Sequence, residues 1–339
     1  MTDVVKSFCG GVTLFLALSG GLTAHTLNVY SARHYESDNQ LFEAFTAATG
    51  IAVQRVEGQD DALLQRLRSE GRHSPADVFI TVDAGRLWAA EESDLFQAVD
   101  SELLRERIPA HLRHPEGLWY GFSKRARVIA YSRDRVDPET LTTYESLAYP
   151  QWRGRVLVRS SSNIYNQSLL GSLIEAHGAE AAEAWARGVV ANLARRPQSN
   201  DTGQLRAIAA GLGDVALVNH YYYHRLEDSS DPADQAILQT VDLFYPNQED
   251  RGTHINISGA GVLRHAPHPE AALTFLEWLS GDEGQKLFAE ANYEFPANPR
   301  TPRNGRWSEI DFREDQLNAA RIGQRNPEAI RIFDRAGWR

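Results

Sequence analysis

Three consecutive tyrosines, Tyr221, Tyr222 and Tyr223, follow the apolar run Val215 to Val218 within Asn219-His220-Tyr221-Tyr222-Tyr223-His224-Arg225. Successive side chains on a strand or helix point in different directions, so three neighbouring rings cannot all enter one core. One use for them is packing, with buried rings and wet hydroxyls. The other is ligation of a hard cation by phenolates. A phenol ionises only near pH ~10, so phenolate is scarce at neutral pH unless a highly charged metal stabilises it. Trivalent iron is hard and suits anionic oxygen. Calcium favours carboxylates and carbonyls, and zinc favours histidine or cysteine. His34-Tyr35 and Tyr165 occupy two further loops. Each tyrosine alone reads as a core or surface residue; four of them at strand-end loops point to a shared site.

Those loops need elements to place them. Leu27 to Tyr30, Ile51 to Val56, Asp77 to Val82, Arg127 to Tyr131, Arg155 to Arg159, Val215 to Val218 and Ser258 to Leu263 read as strands. Helical spacing is read at Leu41–Thr49, stopped by Gly50, and at Ala62–Glu70, capped by Asp61 and stopped by Gly71. Further helices are read near Asn166–Ala176, Ala179–Asn192, Gly203–Gly211, Pro269–Ser280, Asp282–Ala291 and Asp311–Ala336. Alternation of strands and helices predicts an α/β fold with a largely parallel sheet. In such sheets ligands bind beyond the carboxyl ends of strands. Tyr30–Ser37, Ser160–Gln167 and Asn219–Arg225 are read as the loops at those ends. His265-Ala266-Pro267-His268 reads as a turn, and Ser160-Ser161-Ser162-Asn163 as support for Tyr165 or a contact for a small anion.

The chain has 339 residues with 35 Lys and Arg against 45 Asp and Glu, a net charge of −10. That acidity disfavours nucleic acid, whose phosphates need basic partners, and anionic membrane surfaces. The length exceeds what one core usually fills, so two domains are expected. Residues 1–24 have the basic, apolar and small-residue order of an export signal ending at Ala24. The single cysteine, Cys9, falls inside that signal, so no disulfide or cysteine metal site is expected in the exported chain. No Walker loop, dinucleotide fingerprint or nucleophile elbow is present.

The run Asn28-Val29-Tyr30-Ser31-Ala32-Arg33-His34-Tyr35, the segment Pro75-Ala76-Asp77-Val78-Phe79 and the pattern Asn219-x-Tyr221-Tyr222 resemble the bacterial periplasmic ferric-iron-binding proteins of the FutA/FbpA type. Trp119-Tyr120-Gly121, Arg125 to Tyr131, Trp152-x-Gly154 and Ser258 to Gly261 fit the same resemblance. It implies a two-lobed periplasmic binding protein of type II, with a hinge and iron in the interlobe cleft. It implies residues 25–125 and 250–300 in one lobe, 126–249 in the other, and 301–339 as C-terminal helices packed on the second. It implies Tyr35, Tyr165, Tyr221 and Tyr222 as ligands and leaves His34 as a fifth ligand or a bystander. One branch of the family carries a glutamate where Val82 stands here, which favours the four-tyrosine set. Tyr223 is left to packing. Arg125 and Arg225 are expected beside the phenolates, offsetting the excess negative charge and making Fe(II) less unfavourable than it would otherwise be. The implied function is export to the periplasm as a monomer, capture of Fe(III), with Fe(II) tolerated, and delivery to an ABC transporter permease, with a synergistic anion at the metal. Two other readings remain open on the residues alone: a binding protein for a small anion or organic molecule, and a tyrosine-ligated iron oxygenase.

Overall fold

The computed structural model describes residues 26–339 apart from residues 34, 36 and 304, and side chains other than those of residues 306 and 307. The signal segment, Cys9 and His34 therefore lie outside the described residues.

The first three strands, β1 (Thr26–Ser31), β2 (Ala52–Glu57) and β3 (Val78–Val82), pair in parallel in the order β2-β1-β3. β3 is buried along its whole length, as a strand covered on both faces must be. Helix α1 (Asp38–Thr49) buries Leu41, Phe42 and Phe45 and ends at Gly50, whose φ of 74° is the left-handed cap conformation that glycine adopts freely. Helix α2 (Asp60–Glu70) starts earlier than the sequence suggested, and Asp61 is an exposed first-turn residue. The carboxylate of Asp60 instead takes a hydrogen bond from Thr81 and pairs with Arg86 at 2.8 Å. After α3 (Ala84–Glu91) and α4 (Glu102–Arg107) comes β4 (Tyr120–Ser132), thirteen residues with every side chain buried.

β4 joins two sheets. Its Tyr120–Ala126 stretch runs antiparallel to β8 (Ile255–Val262), which also pairs with β3. From Arg127 onward it pairs with β6 (Val215–Asn219) and β7 (Val241–Phe244). β5 (Val156–Leu157) lies parallel to β6, and β9 (Phe295–Pro296) pairs with β4 at Ser123 and Lys124. The main path runs β2-β1-β3-β8-β4-β6-β5. The sheet is thus mixed and not largely parallel, because β4 and β8 return against their neighbours. The chain crosses back near His254, whose carbonyl accepts the Arg127 N–H at 3.0 Å.

Helices α5 (Ile164–His177), α6 (Ala179–Ala191), α7 (Asp201–Ala209), α8 (His220–Glu227) and α9 (Pro232–Thr240) cover the second sheet. α10 (Pro269–Leu279) and α11 (Asp282–Phe288) return to the first. The C-terminal stretch is helical only from Ala319: α12 (Ala319–Gln324) and α13 (Asn326–Ala336) follow an irregular segment in which Glu314 bridges to Thr253 and Asn318 caps α12. α13 places Phe333 beside a core that also holds Trp152, Trp185 and Trp338. α12 lies between α5 and α3, so close to α3 that a methyl on Gly323 would sit 2.7 Å from the carbonyl oxygen of Ala84.

Candidate metal centre

Three strand ends deliver the tyrosines. Tyr35 follows β1, and its carbonyl accepts the N–H of Asp38 at the start of α1 at 3.0 Å. Tyr165 stands in the first turn of α5. Tyr221 and Tyr222 stand in the first turn of α8, so the segment read as a loop at Asn219–Arg225 is a helix. The helix forms because its entry is fixed by buried polar groups. Asp201 accepts the N–H of Asn219 at 2.7 Å, and the Asn219 side-chain oxygen accepts from Arg127 at 3.1 Å. Neighbouring helical residues diverge by roughly 100°, and the three rings separate accordingly. Tyr221 and Tyr222 lie together, ring centroids 4.3 Å apart. Tyr223 turns into the core and donates to the carbonyl of Val241 at 3.2 Å.

The phenols of the other two positions, Tyr35 and Tyr165, converge with them. The hydroxyl of Tyr221 donates to that of Tyr165 at 3.4 Å. Tyr35 is near enough to Tyr221 to disfavour its ionisation, and Tyr165 near enough to Tyr35 to do the same there. The guanidinium of Arg225 spans the group, 5.1 Å from the Tyr35 ring centre, 4.8 Å from Tyr221 and 5.7 Å from Tyr222. Arg125 is buried, 5.3 Å from the Tyr165 ring centre, and its Nη2 donates to the carbonyl of Ile257 at 2.6 Å. Its Nε and Nη1 have no hydrogen-bond partner among the described residues.

Without a metal Tyr35, Tyr221 and Tyr222 hold their protons. Burial and then Tyr165 and Tyr222 push Tyr221 well above the ordinary phenol value. Burial and the neighbouring Tyr165 push Tyr222 up to about 12. Burial and then Glu294 raise Tyr35. Burial works to discharge Arg125, but Glu294, Tyr165, Tyr221 and Asp83 outweigh it and raise its pKa. The same opposition, with Tyr35 and Tyr221 foremost after burial, raises Arg225. Four crowded phenols ringed by cations form a trap for a small, highly charged, oxygen-seeking cation that can displace the protons. Among the described residues no cluster of three His, Cys, Asp or Glu offers a competing site.

Several contributors escaped sequence reasoning. Arg127 is buried and bonds Asp201 at 2.7 Å and Asn166 at 2.8 Å, tying α5, α7 and β6 together behind the tyrosines. Arg159 shares Asp201 at 3.2 Å and lies 5.4 Å from the Tyr165 ring centre. Glu294 is wholly buried and accepts from the Tyr35 hydroxyl at 3.4 Å. A charged residue between Tyr293 and Phe295-Pro296 is a sequence signal that could have drawn notice to it. Val82 is buried at the end of β3. Asp83 beside it is occupied elsewhere, accepting from Gly85 N–H at 2.9 Å, Asn256 at 2.8 Å and Ser168 at 2.5 Å. Ser160 to Ser162 fold back on α5: Asn166 donates to the Ser160 carbonyl at 3.2 Å and Gln167 to that of Ser161 at 2.9 Å. His268 begins α10 and contacts Asp77 at 3.1 Å, a structural turn.

The family of bacterial extracellular solute-binding proteins matches residues 73–311. The chain is 49% identical over 340 residues to Iron uptake protein A2 of Synechocystis sp., covering 98% of this chain and 97% of that protein. The structure of Trichodesmium FutA (IdiA) in complex with iron and citrate ligands is similar at a TM-score of 0.90 and 51% identity, covering 93% of this chain and 100% of that one. A ferric binding protein from Campylobacter jejuni is similar at a TM-score of 0.86 and 38% identity, over 92% of this chain and 100% of that one. The chain belongs to the bacterial extracellular solute-binding proteins and, within them, to the two-lobed group of FutA- and FbpA-type ferric-iron-binding proteins.

Proposed function

We propose that this chain captures ferric iron as cargo between two lobes and hands it to an ABC transporter permease. The observation that carries the reading is the convergence of Tyr35, Tyr165, Tyr221 and Tyr222 from three strand ends beneath Arg225 and Arg125. In this reading the four phenols lose their protons to the solvent as the metal enters and bind it as phenolates. Residues 25–125 with 250–300 form one lobe and 126–249 the other, and the lobes close about the crossing strands. Four phenolates exceed the charge of Fe(III) by one, which favours the trivalent ion over Fe(II). The unpartnered donors of Arg125 support a small anion at the metal. Binding without turnover, a periplasmic location after removal of residues 1–24 and a monomeric state belong to the same reading.

The chain loaded with ferric citrate and then desalted is expected to retain one iron per chain by native mass spectrometry and metal analysis. Retention of no iron, with a bound organic solute in its place, would overturn the proposal.

A further inference from the structure

A carboxylate that a four-phenol ligand set does not require lies against Tyr35. Glu294 is fully buried. It follows Tyr293, a non-glycine residue at φ 62°, and precedes β9. One carboxylate oxygen accepts from Ser258 on β8 at 3.1 Å and from Ser123 on β4. The other accepts from the Tyr35 hydroxyl. Both Arg125 and Arg225 feel its charge. Burying an ionised carboxylate is costly unless partners compensate it, and a glutamine would fill the same space without that cost. What glutamine cannot supply is the charge.

The charge has a definite consequence. A trivalent ion with four phenolates carries one net negative charge. Arg125 and Arg225 oppose that excess, and Glu294 adds a negative charge beside Tyr35 in either oxidation state. A negative charge near the metal stabilises Fe(III) more than Fe(II). We infer that Glu294 is a positioning residue for Tyr35 and a counter-charge that favours Fe(III) over Fe(II) in the loaded site. This inference rests on the ferric-binding reading. Through its hydrogen bond Glu294 holds the Tyr35 ring in the metal-free protein; on loading, that proton leaves for the solvent and the carboxylate remains, its charge felt by both guanidinium groups. Replacing Glu294 by glutamine removes one negative charge from the site in either oxidation state, so the preference shifts toward Fe(II). Easier ionisation of Tyr35 in the variant helps both oxidation states alike and cancels in their ratio.

The test is a spectroelectrochemical titration of iron-loaded wild type, Glu294→Gln and Glu294→Asp, with thermal unfolding of each metal-free protein alongside. A nearby unit charge in a partly buried site is expected to change the ferric-to-ferrous affinity ratio by about 10–100-fold, which at ~59 mV per tenfold for one electron raises the midpoint by roughly 60–120 mV. Glu294→Asp keeps the charge and is expected to hold the wild-type midpoint. A folded Glu294→Gln protein with an unmoved midpoint would overturn the inference. Should that variant not fold, Glu294→Asp decides alone: a midpoint raised by tenfold or more in the ratio contradicts the counter-charge role. A wild-type protein that takes up no iron would remove the ferric reading and this inference with it, whereas wild-type loading beside an unmoved variant removes this inference alone.

Discussion

Tyrosine is an unusual choice of ligand because the free side chain must give up a proton held tightly, and this site tightens that hold. Burial and mutual repulsion raise Tyr35, Tyr221 and Tyr222 above the ordinary phenol value. Metal binding therefore releases protons across the neutral range, and iron affinity must fall as pH falls. Because more than one raised phenol ionises, the loss is expected to be steeper than about tenfold per pH unit, measured by competition with a chelator whose own proton release is known. A pH-independent affinity would contradict multiple phenolate ligation. Tyr223 provides the internal contrast. Its hydroxyl bonds the Val241 carbonyl inside the core, so Tyr223→Phe should cost about 0.5–1.5 kcal/mol of stability and leave iron binding unchanged. The convergence of these tyrosines was legible in the sequence because their residue type stands out at the strand ends. Glu294 was not, since its meaning arises from Tyr35, Ser123 and Ser258, which are remote in sequence.

At the scale of elements, the starts of α5 and α8 decide where three of the phenols point, and both rest on Arg127. That residue lies at 1% exposure in the middle of β4 and ties Asp201, Asn166 and Asn219. Arg127→Met removes one of the two arginines on Asp201 and the donors to Asn166 and Asn219, while Arg159 remains on Asp201, so it should destabilise the protein by about 1–3 kcal/mol in denaturant unfolding and weaken iron binding without touching a proposed ligand. Sequence reasoning recovered only the apolar end of β4, Arg127 to Tyr131. Lys124 and Arg125 make the rest look like solvent-facing chain. Their compensation by Glu314 and Glu294, like that of Arg127 by Asp201, depends on tertiary neighbours. The helix at His220–Glu227 was missed for a related reason: a short aromatic run has no clear apolar period, and its start is fixed by Asp201 and Arg127 from other elements. By contrast α1 and its Gly50 stop were legible, because both signals are local.

At the scale of the molecule, β4 and the return near His254 carry the chain between two α/β halves, and the phenols come from both sides of that crossing. In the proposed capture, ligands drawn from both halves mean that loading should favour a closed arrangement. Iron removal is accordingly expected to increase the radius of gyration in small-angle scattering, and an identical profile with and without iron would argue against closure. The C-terminal segment adds a second tie between α12 and α3. A methyl at Gly323 would meet Trp88 and the Ala84 carbonyl. Overpacking of this kind typically costs ~1–3 kcal/mol, so Gly323→Ala should lower the melting temperature measurably. The sequence contained the two-lobed plan in its alternating strands and in its family resemblance. It did not disclose the antiparallel returns, because strand direction depends on which distant strands meet.

The most direct test of phenolate capture is a visible absorption titration of the metal-free protein with chelated Fe(III), run beside Tyr222→Phe. Loss of a partner outside a metal's ligand set costs about 10–100-fold in affinity, so loss of a ligand should cost more. A phenolate-to-iron charge-transfer band is expected that saturates at one iron per chain and is weakened in the variant. Iron uptake without such a band, or a band unchanged in Tyr222→Phe, would contradict phenolate capture.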